Sequence, residues 1–346
     1  MSALRRTAPE GVPPGGHPPE GLGLLQDGQP QEVGVHLGVV LVQRLVLVIE
    51  RVVVLFLFVL LVFVGILVGW VRRVRRIQGE VGLTTAEIGV FGGSGFYSFL
   101  DDVREIEVQT PYGEPSSPLL VGEVAGRTVA FIPRHGTKHQ FPPHRINYRA
   151  NLWAMREAGV KRVLGPCAVG SLRADVEPGH FVVCDQLVDR TTGRTDTFYD
   201  GPVTTHISFA DPYCSQTRGV IVEQAKAHSL PTHETGTVVV VQGPRFSTRS
   251  ESAWYQSQGW EVINMTQYPE ASLARELELC YANISVVTDY DVGVGDHPPV
   301  SHDEVVRVFD ENLGRLRDLL FGVIGALPEE RTCDCGSALV GARFEV

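Results

Sequence analysis

The sequence predicts an α/β domain built round a largely buried sheet, occupying residues 85–330 behind an N-terminal stretch of different character. Two observations predict it. From Thr85 onward, short β-rich runs alternate with segments of helical periodicity, the pattern of strands and helices packed in layers. The chain is also 43% hydrophobic and 20% charged, which suits a globular protein with a substantial core. Taken in order, residues 88–91 read as a buried strand entering a glycine turn. Residues 119–124 and 128–133 read as two strands joined at Ala125-Gly126-Arg127. Residues 147–158 have helical periodicity and stop at Gly159. Further strands are predicted at 162–167, 181–185, 237–242 and 284–288. Further helices are predicted at 215–228, 249–258, 270–278 and 303–321. No internal repeat is evident.

Residues 1–84 differ sharply. Residues 7–31 are rich in Pro, Gly and Gln, a composition that does not build a core. Residues 52–71 carry no charge, and a run of about 20 apolar residues is long enough to cross a bilayer as a helix. Arg72, Arg73, Arg75 and Arg76 follow, and would hold what comes after them on the cytoplasmic side. A cleaved signal fits poorly, because the apolar run is too long and no small-residue cleavage site follows. The adopted reading is a start placed too far upstream. The chain uses 27 arginines against three lysines, as GC-rich coding sequence does, and this stretch has no methionine after the first residue. Val81 or Leu83 then stands for the true start, and the protein is expected to be cytoplasmic. A membrane role is retained only if residues 52–71 are a genuine anchor.

The net charge of −10 argues against a nucleic-acid binder, which needs a basic face for the phosphates. It does not exclude a small anion held by a few local donors. Of the six cysteines, Cys167, Cys184, Cys214 and Cys280 read as buried reduced thiols. Cys333 and Cys335 form a Cys-x-Cys pair in a C-terminal tail, 331–346, which suits a strained, redox-active disulfide or half of a metal site. No second cysteine pair or histidine cluster completes a zinc set with them in the sequence, so no metal is expected.

Six motifs can carry chemistry. Gly92-Gly93-Ser94-Gly95 follows the first strand and suits either an anion or a simple tight turn. It lacks the further glycine or alanine of a dinucleotide fingerprint, since that position is Ser98. Arg134-His135-Gly136 ends a strand, where a guanidinium fork beside an imidazole suits a tetrahedral anion and equally suits a surface turn. His139 and His144 follow at a spacing, broken by Pro142-Pro143, that does not suit a metal. Cys167 to Leu172 lies at another strand end, where ligands gather in α/β sheets. Gly243 to Ser247, and Asn264-Met265-Thr266 before Pro269-Glu270, are the fourth and fifth. The sixth is Thr288-Asp289-Tyr290-Asp291. Strand alternation can aim both carboxylates into one pocket, and like charges held close raise a pKa. Alone, this pair reads as a solvated acidic turn.

The six in order, with connecting stretches such as 185–192 and 197–201, resemble the methylthioadenosine phosphorylase branch of the trimeric purine-nucleoside phosphorylases, from about Ile88 to Leu320. The resemblance implies a single phosphorylase domain with a central mixed, partly barrel-like β-sheet flanked by helices. It implies a pentosyltransferase of purine and methionine salvage, in which phosphate attacks the anomeric carbon and releases the purine. Phosphate is then a co-substrate, and no metal or organic cofactor is expected. Ser94, Arg134, His135, Cys167 through its backbone, Ala168 and Thr266 should surround the phosphate. Met265 should lie against the ribose and Phe246 near the base, with Tyr290 also binding the substrate. Ser247, Asp289 and Asp291 should meet the polar edge of the base, with Asp289 and Asp291 catalytic. His302, Val305 and Val306 should set the 5′ specificity. His206 matches a position donated by a neighbouring subunit of a homotrimer.

An aspartate at 289 matches an adenine amino group, whereas the inosine and guanosine phosphorylases of the superfamily carry asparagine there. The predicted substrate is therefore a 6-aminopurine nucleoside, methylthioadenosine first and adenosine second. His302, standing where relatives have a small apolar residue, either admits a 5′-hydroxyl or faces solvent. Two alternatives are carried: a phosphorylase for methylthioinosine, inosine or guanosine, and a non-catalytic or membrane-anchored nucleoside-binding protein.

Overall fold

The computed structural model describes residues 86–92 and 103–343. The apolar segment 52–71 and Ser94 lie outside them. Among the described residues, no helix is long and apolar enough to cross a membrane.

Eleven strands form one mixed sheet: β1 (Ile88–Gly92), β2 (Arg104–Ile106), β3 (Leu119–Val124), β4 (Arg127–Pro133), β5 (Arg162–Ser171), β6 (Phe181–Val182), β7 (Gln186–Arg190), β8 (Thr232–His233), β9 (Thr237–Val241), β10 (Val262–Asn264) and β11 (Cys280–Asp289). Among the described residues, five α-helices pack against it: α1 (Tyr148–Glu157), α2 (Ser215–Ala227), α3 (Arg249–Ser257), α4 (Gln267–Glu276) and α5 (His302–Ala326). The main path of the sheet is β2-β3-β4-β1-β5-β10-β9-β7, and β11 leaves it to join β5 with β6 and β8.

The decisive feature is β5. Its start pairs in parallel with β1, Ile88 opposite Arg162 through Val90 opposite Leu164. Its end pairs antiparallel with β10, Ile263 opposite Gly170. Along its other edge β11 runs parallel for almost the whole length. One strand with two successive neighbours on the same edge makes the sheet fork. This fork is the form that the expected barrel-like curl takes, and it opens a crevice between the ends of β1 and β10.

Both faces of the central strands are covered, so β1, β4, β5 and β11 are buried nearly throughout, whereas β2 and β7 at the ends of the path are largely exposed. Along β4 the side chains alternate between two cores. Ala130 and Ile132 join Phe91, Leu152 and Met155 on the face that α1 and α4 cover. Val129 and Phe131 join Ile88, Leu316 and Leu320 on the face that α2 and α5 cover. Local signals set several helix ends. Asn147 caps α1 by accepting from the Ala150 amide, and Gly159, at φ +91°, follows its last turn. Thr248 and Glu251 form a reciprocal capping box on α3.

Some predicted boundaries move. β5 and β11 are ten residues each, longer than expected, because pairing on both edges carries them through polar and glycine positions. The predicted strand 181–185 shortens to β6, and β7 follows it as a separate strand that was not predicted. α5 continues to Ala326 because Leu316, Leu319, Leu320, Val323 and Ile324 sustain one buried stripe. The segment beyond 330 folds back on the domain. There Arg331 Nη1 donates to the Glu278 carbonyl (2.8 Å), and the His206 amide donates to that of Ala342 (2.8 Å).

Candidate active site

A cavity of about 550 Å³ occupies the crevice at the fork. It sits at the C-terminal ends of β1, β4, β10 and β11, the place where parallel strands that diverge leave room for a ligand. All the sequence-predicted site residues that the structure describes line it, except Tyr290 and His206. Tyr290 alternates away from the cavity, and its ring stacks on His297 with centroids 4.1 Å apart. His206 lies on a segment bridged to the C-terminal tail through Thr205 and Arg343, outside the cavity of its own chain.

One end of the cavity is built for an anion. Arg134, first residue past β4, is buried to 5% exposure. Its Nε and Nη2 donate to the two carboxylate oxygens of Glu270 (2.7 and 3.0 Å), and its Nη1 donates to the Pro166 carbonyl (2.8 Å). Burial opposes the guanidinium charge, but the charge and hydrogen bonds of Glu270 more than offset it, so Arg134 stays cationic. Three of its N–H groups are thus engaged, which fixes the fork and leaves the remaining N–H groups of the two terminal nitrogens for a ligand. His135 beside it shares its Nδ1 with the Phe141 carbonyl at 2.8 Å, which makes Nδ1 the protonated nitrogen. Burial lowers its pKa to about 4. At neutral pH the imidazole is therefore uncharged, and its Nε2 accepts, for example from a P–OH group. Cys167 sends its sulfur into a network behind the site, where it accepts from Asn264 (3.2 Å) and Asn283 (3.3 Å). That leaves its backbone and Ala168 to face the cavity.

The opposite end carries the two carboxyl groups. Burial raises the Asp289 pKa to about 7, with Thr288 donating to it at 2.8 Å and opposing the shift. Burial also raises Asp291, while the nearby Ser252 hydroxyl pulls it back. Ser247 Oγ and Asp291 Oδ2 are buried with no hydrogen-bond partner among the described residues. Unpartnered polar atoms in such a place are costly unless a ligand completes them. Asp289 owes its position to a shift of register in β11 between Val287 and Asp289, and to Gly170 opposite it. A Cβ at Gly170 would lie 2.9 Å from Asp289 Oδ1. Gly170→Ala is therefore expected to displace the carboxyl and lower kcat by about 10²-fold, the scale of a misplacement of about 1 Å at a reacting group. Steady-state kinetics check this beside a thermal melt; unchanged turnover would remove Asp289 from the reaction.

Between the ends, Phe246 and Met265 supply apolar walls. Gly243, at φ +61°, lets the chain turn where any Cβ would strike the Met265 sulfur at 2.5 Å. At the mouth, α5 presents His302, Val305 and Val306, and on the same face Phe309 and Leu313. His302 is exposed there.

Sequence reasoning missed four contributors. Glu270 was noted only as part of a motif, although it orients Arg134. Arg194 clamps the site from behind, donating to the carbonyls of Met265 (2.9 Å) and Gln242 (2.8 Å). Phe309 and Leu313 extend the apolar wall beyond the stripe that was recognised. Helical spacing from Val305 and Val306 was the available signal for these two; nothing in the sequence marks Arg194. One expectation is corrected. The pair Cys333 and Cys335 does meet a second pair, because the tail folds back on Cys214 and Cys280, residues too far away in sequence for spacing to connect them.

Over this same domain the chain is similar to known proteins. A profile described as the phosphorylase superfamily matches residues 87–325. The chain is 56% identical over 266 residues to a purine nucleoside phosphorylase of Streptomyces coelicolor, covering 74% of this chain and 95% of the relative. It is 53% identical over 249 residues to an S-methyl-5′-thioadenosine phosphorylase of Mycolicibacterium smegmatis, covering 71% and 93%. Among solved structures it is similar to a methylthioadenosine phosphorylase from Schistosoma mansoni in complex with adenine. The TM-score is 0.71 at 34% identity, covering 75% of this chain and 99% of that one.

Proposed function

The chain belongs to the phosphorylase superfamily, and from that premise we propose that it splits S-methyl-5′-thioadenosine with inorganic phosphate, releasing adenine and 5-methylthioribose 1-phosphate. The observation that carries this reading is the buried carboxyl pair at one end of the cavity, facing an arginine-built anion site at the other. Adenine offers an acceptor at N7 beside a donor at its 6-amino group. A protonated Asp289 donates to the first and accepts from the second. As the glycosidic bond breaks, its electron pair passes to the purine, and the Asp289 proton neutralises that charge at N7. A phosphate oxygen held by Arg134, His135 and Thr266 forms the new bond to the anomeric carbon. Holding the reactants in line supplies about 7–11 kcal/mol in good intramolecular cases, so no covalent enzyme intermediate is needed. The reaction is a group transfer without redox change, and phosphate is its co-substrate rather than a bound cofactor.

The apolar wall of Val305, Val306, Phe309 and Leu313 favours a methylthio group over a hydroxyl. The enzyme is read as a cytoplasmic homotrimer, its domain spanning 85–330, in which His206 completes the 5′ end of a neighbour's site. Its position outside its own cavity supports that role, and the six free thiols suit a reducing compartment. Ser94 is assigned to the phosphate end on sequence grounds alone.

The experiment follows purine release by the full chain from methylthioadenosine, adenosine, inosine and guanosine, with and without phosphate. Adenine release that requires phosphate, faster from methylthioadenosine than from adenosine, is expected. Release without phosphate would overturn the phosphorylase reading. A second reading, a 6-oxopurine nucleoside phosphorylase, is kept because the Streptomyces relative is a purine nucleoside phosphorylase, a name that leaves the base open. It requires hypoxanthine or guanine release to exceed adenine release in the same assay.

A further inference from the structure

We infer that Cys214, Cys280, Cys333 and Cys335 form a closed tetrathiolate site for a divalent d¹⁰ cation, zinc by its chemistry, which clamps the C-terminal segment to the domain. Their four sulfur atoms all lie within 4.8 Å of one another, and Cys280 Sγ is 3.4 Å from Cys333 Sγ. A tetrahedral zinc site with Zn–S bonds of about 2.3 Å has sulfurs about 3.8 Å apart, so the thiols need to move by only about an ångström. Three of the four are buried and Cys333 is partly so. Together they form a small cluster of their own, and none of them lines the active-site cavity. All-sulfur donor sets select soft or borderline cations, and four protein ligands with no open position make a structural rather than a catalytic site.

The surroundings suit thiolates. Cys214 is the N-cap of α2, and its sulfur accepts from the amide (3.5 Å) and hydroxyl (3.3 Å) of Thr217. Donors aimed at a sulfur from a helix N-terminus stabilise its charge, as outer-shell partners of metal ligands do. The four ligands come from three separate elements that the backbone already ties together. The Cys214 amide donates to the Tyr281 carbonyl (2.8 Å), joining α2 to the start of β11. Gln216 Nε2 donates to Thr332 Oγ1 (3.0 Å), joining α2 to the tail. Binding converts four thiols and M²⁺ into a dianionic M(SR)₄ centre and releases four protons, so occupancy weakens as pH falls. Beyond the centre, the tail holds the segment of His206 through Ala342, so the clamp also steadies residues 205–206.

The test uses the full chain purified under reducing conditions without chelator. Elemental analysis is expected to find one zinc per chain. Exchange with Co²⁺ should give intense visible bands and a near-ultraviolet thiolate-to-cobalt charge-transfer band, a readout that needs no variant. Cys333→Ser and Cys335→Ser should each lose the metal and the band, whereas Cys184→Ser, outside the cluster, should keep both. Three results would overturn the proposal. One is no uptake of zinc or cobalt by the reduced chain. Another is metal retained by both tail variants. The third is an intact mass lower by two hydrogens for each disulfide, with the cluster's thiols no longer titratable.

Discussion

Asp289→Asn is expected to lower phosphorolysis of adenine nucleosides by roughly 10²–10⁴-fold, the usual weight of a positioned acid, while making the fold more stable above neutral pH. The loss has two sources. Asparagine has no proton to release to N7, and its amide meets the adenine amino group donor to donor in one orientation. In the other orientation it accepts from that group and donates a hydrogen bond to N7, but it cannot pass N7 a proton. With hypoxanthine the asparagine amide can donate to the 6-carbonyl, so the ratio of inosine to adenosine turnover should rise. The stability gain follows from linkage. The carboxyl has a pKa of about 7 in the folded chain against an ordinary 3.8. Between those values the folded state holds more protons than the unfolded one, so stability falls as pH rises and the whole penalty is present above about 7. At about 1.4 kcal/mol for each pKa unit, the substitution can recover up to about 4 kcal/mol at pH ~8 and almost nothing near pH ~4. Urea denaturation at two pH values measures this. An infrared carboxyl band that titrates near neutrality in the parent chain, and is missing from the variant, locates the proton. A variant as active on adenosine as its parent, or less stable at high pH, would remove Asp289 from the role given to it.

How much of this was legible in the sequence depended on what kind of signal each residue leaves. Strand ends followed by polar motifs picked out Arg134, His135, Asp289 and Asp291, all of which line the cavity, because a sheet buried on both faces leaves long apolar runs whose ends are sharp. The order of the motifs then supplied the family. Tyr290 was carried along by its neighbours, although alternation on a strand turns it the other way. Glu270 and Arg194 act from behind the ligand, through a side chain on a helix and a loop far away in sequence, and no local pattern announces a long-range ion pair or a carbonyl clamp. The same limit hid the cysteine cluster. Cys214 and Cys280 look like ordinary buried thiols until the tail returns to them. The fork at β5 was equally invisible, since a strand that changes partners midway reads as one continuous apolar run.

Arg134→Met tests whether the buried ion pair serves the fold, the ligand, or both. Methionine fills much of the volume beside Phe91, over whose ring the guanidinium now lies at 5.2 Å. What it cannot replace is the charge. Glu270, 1% exposed, would keep a hydrogen bond from Tyr281 (2.8 Å) but lose its cation, and removing one partner of a buried pair costs about 3–5 kcal/mol. Phosphate would lose its one described fork, and its KM should rise with a fall in kcat/KM of about 10²–10³. Adding Glu270→Leu removes the stranded carboxylate, and apolar replacement of a whole buried pair is often neutral or better. The double variant should therefore regain most of the stability in chemical denaturation and none of the phosphate saturation. Recovery of both would mean that the pair holds the fold while other groups bind the anion. Recovery of neither would mean that Glu270 supports the site through Tyr281 independently of Arg134. Stability restored without activity is the outcome that separates a guanidinium kept for packing from one kept, with its carboxylate partner, to meet a phosphate in a fixed direction.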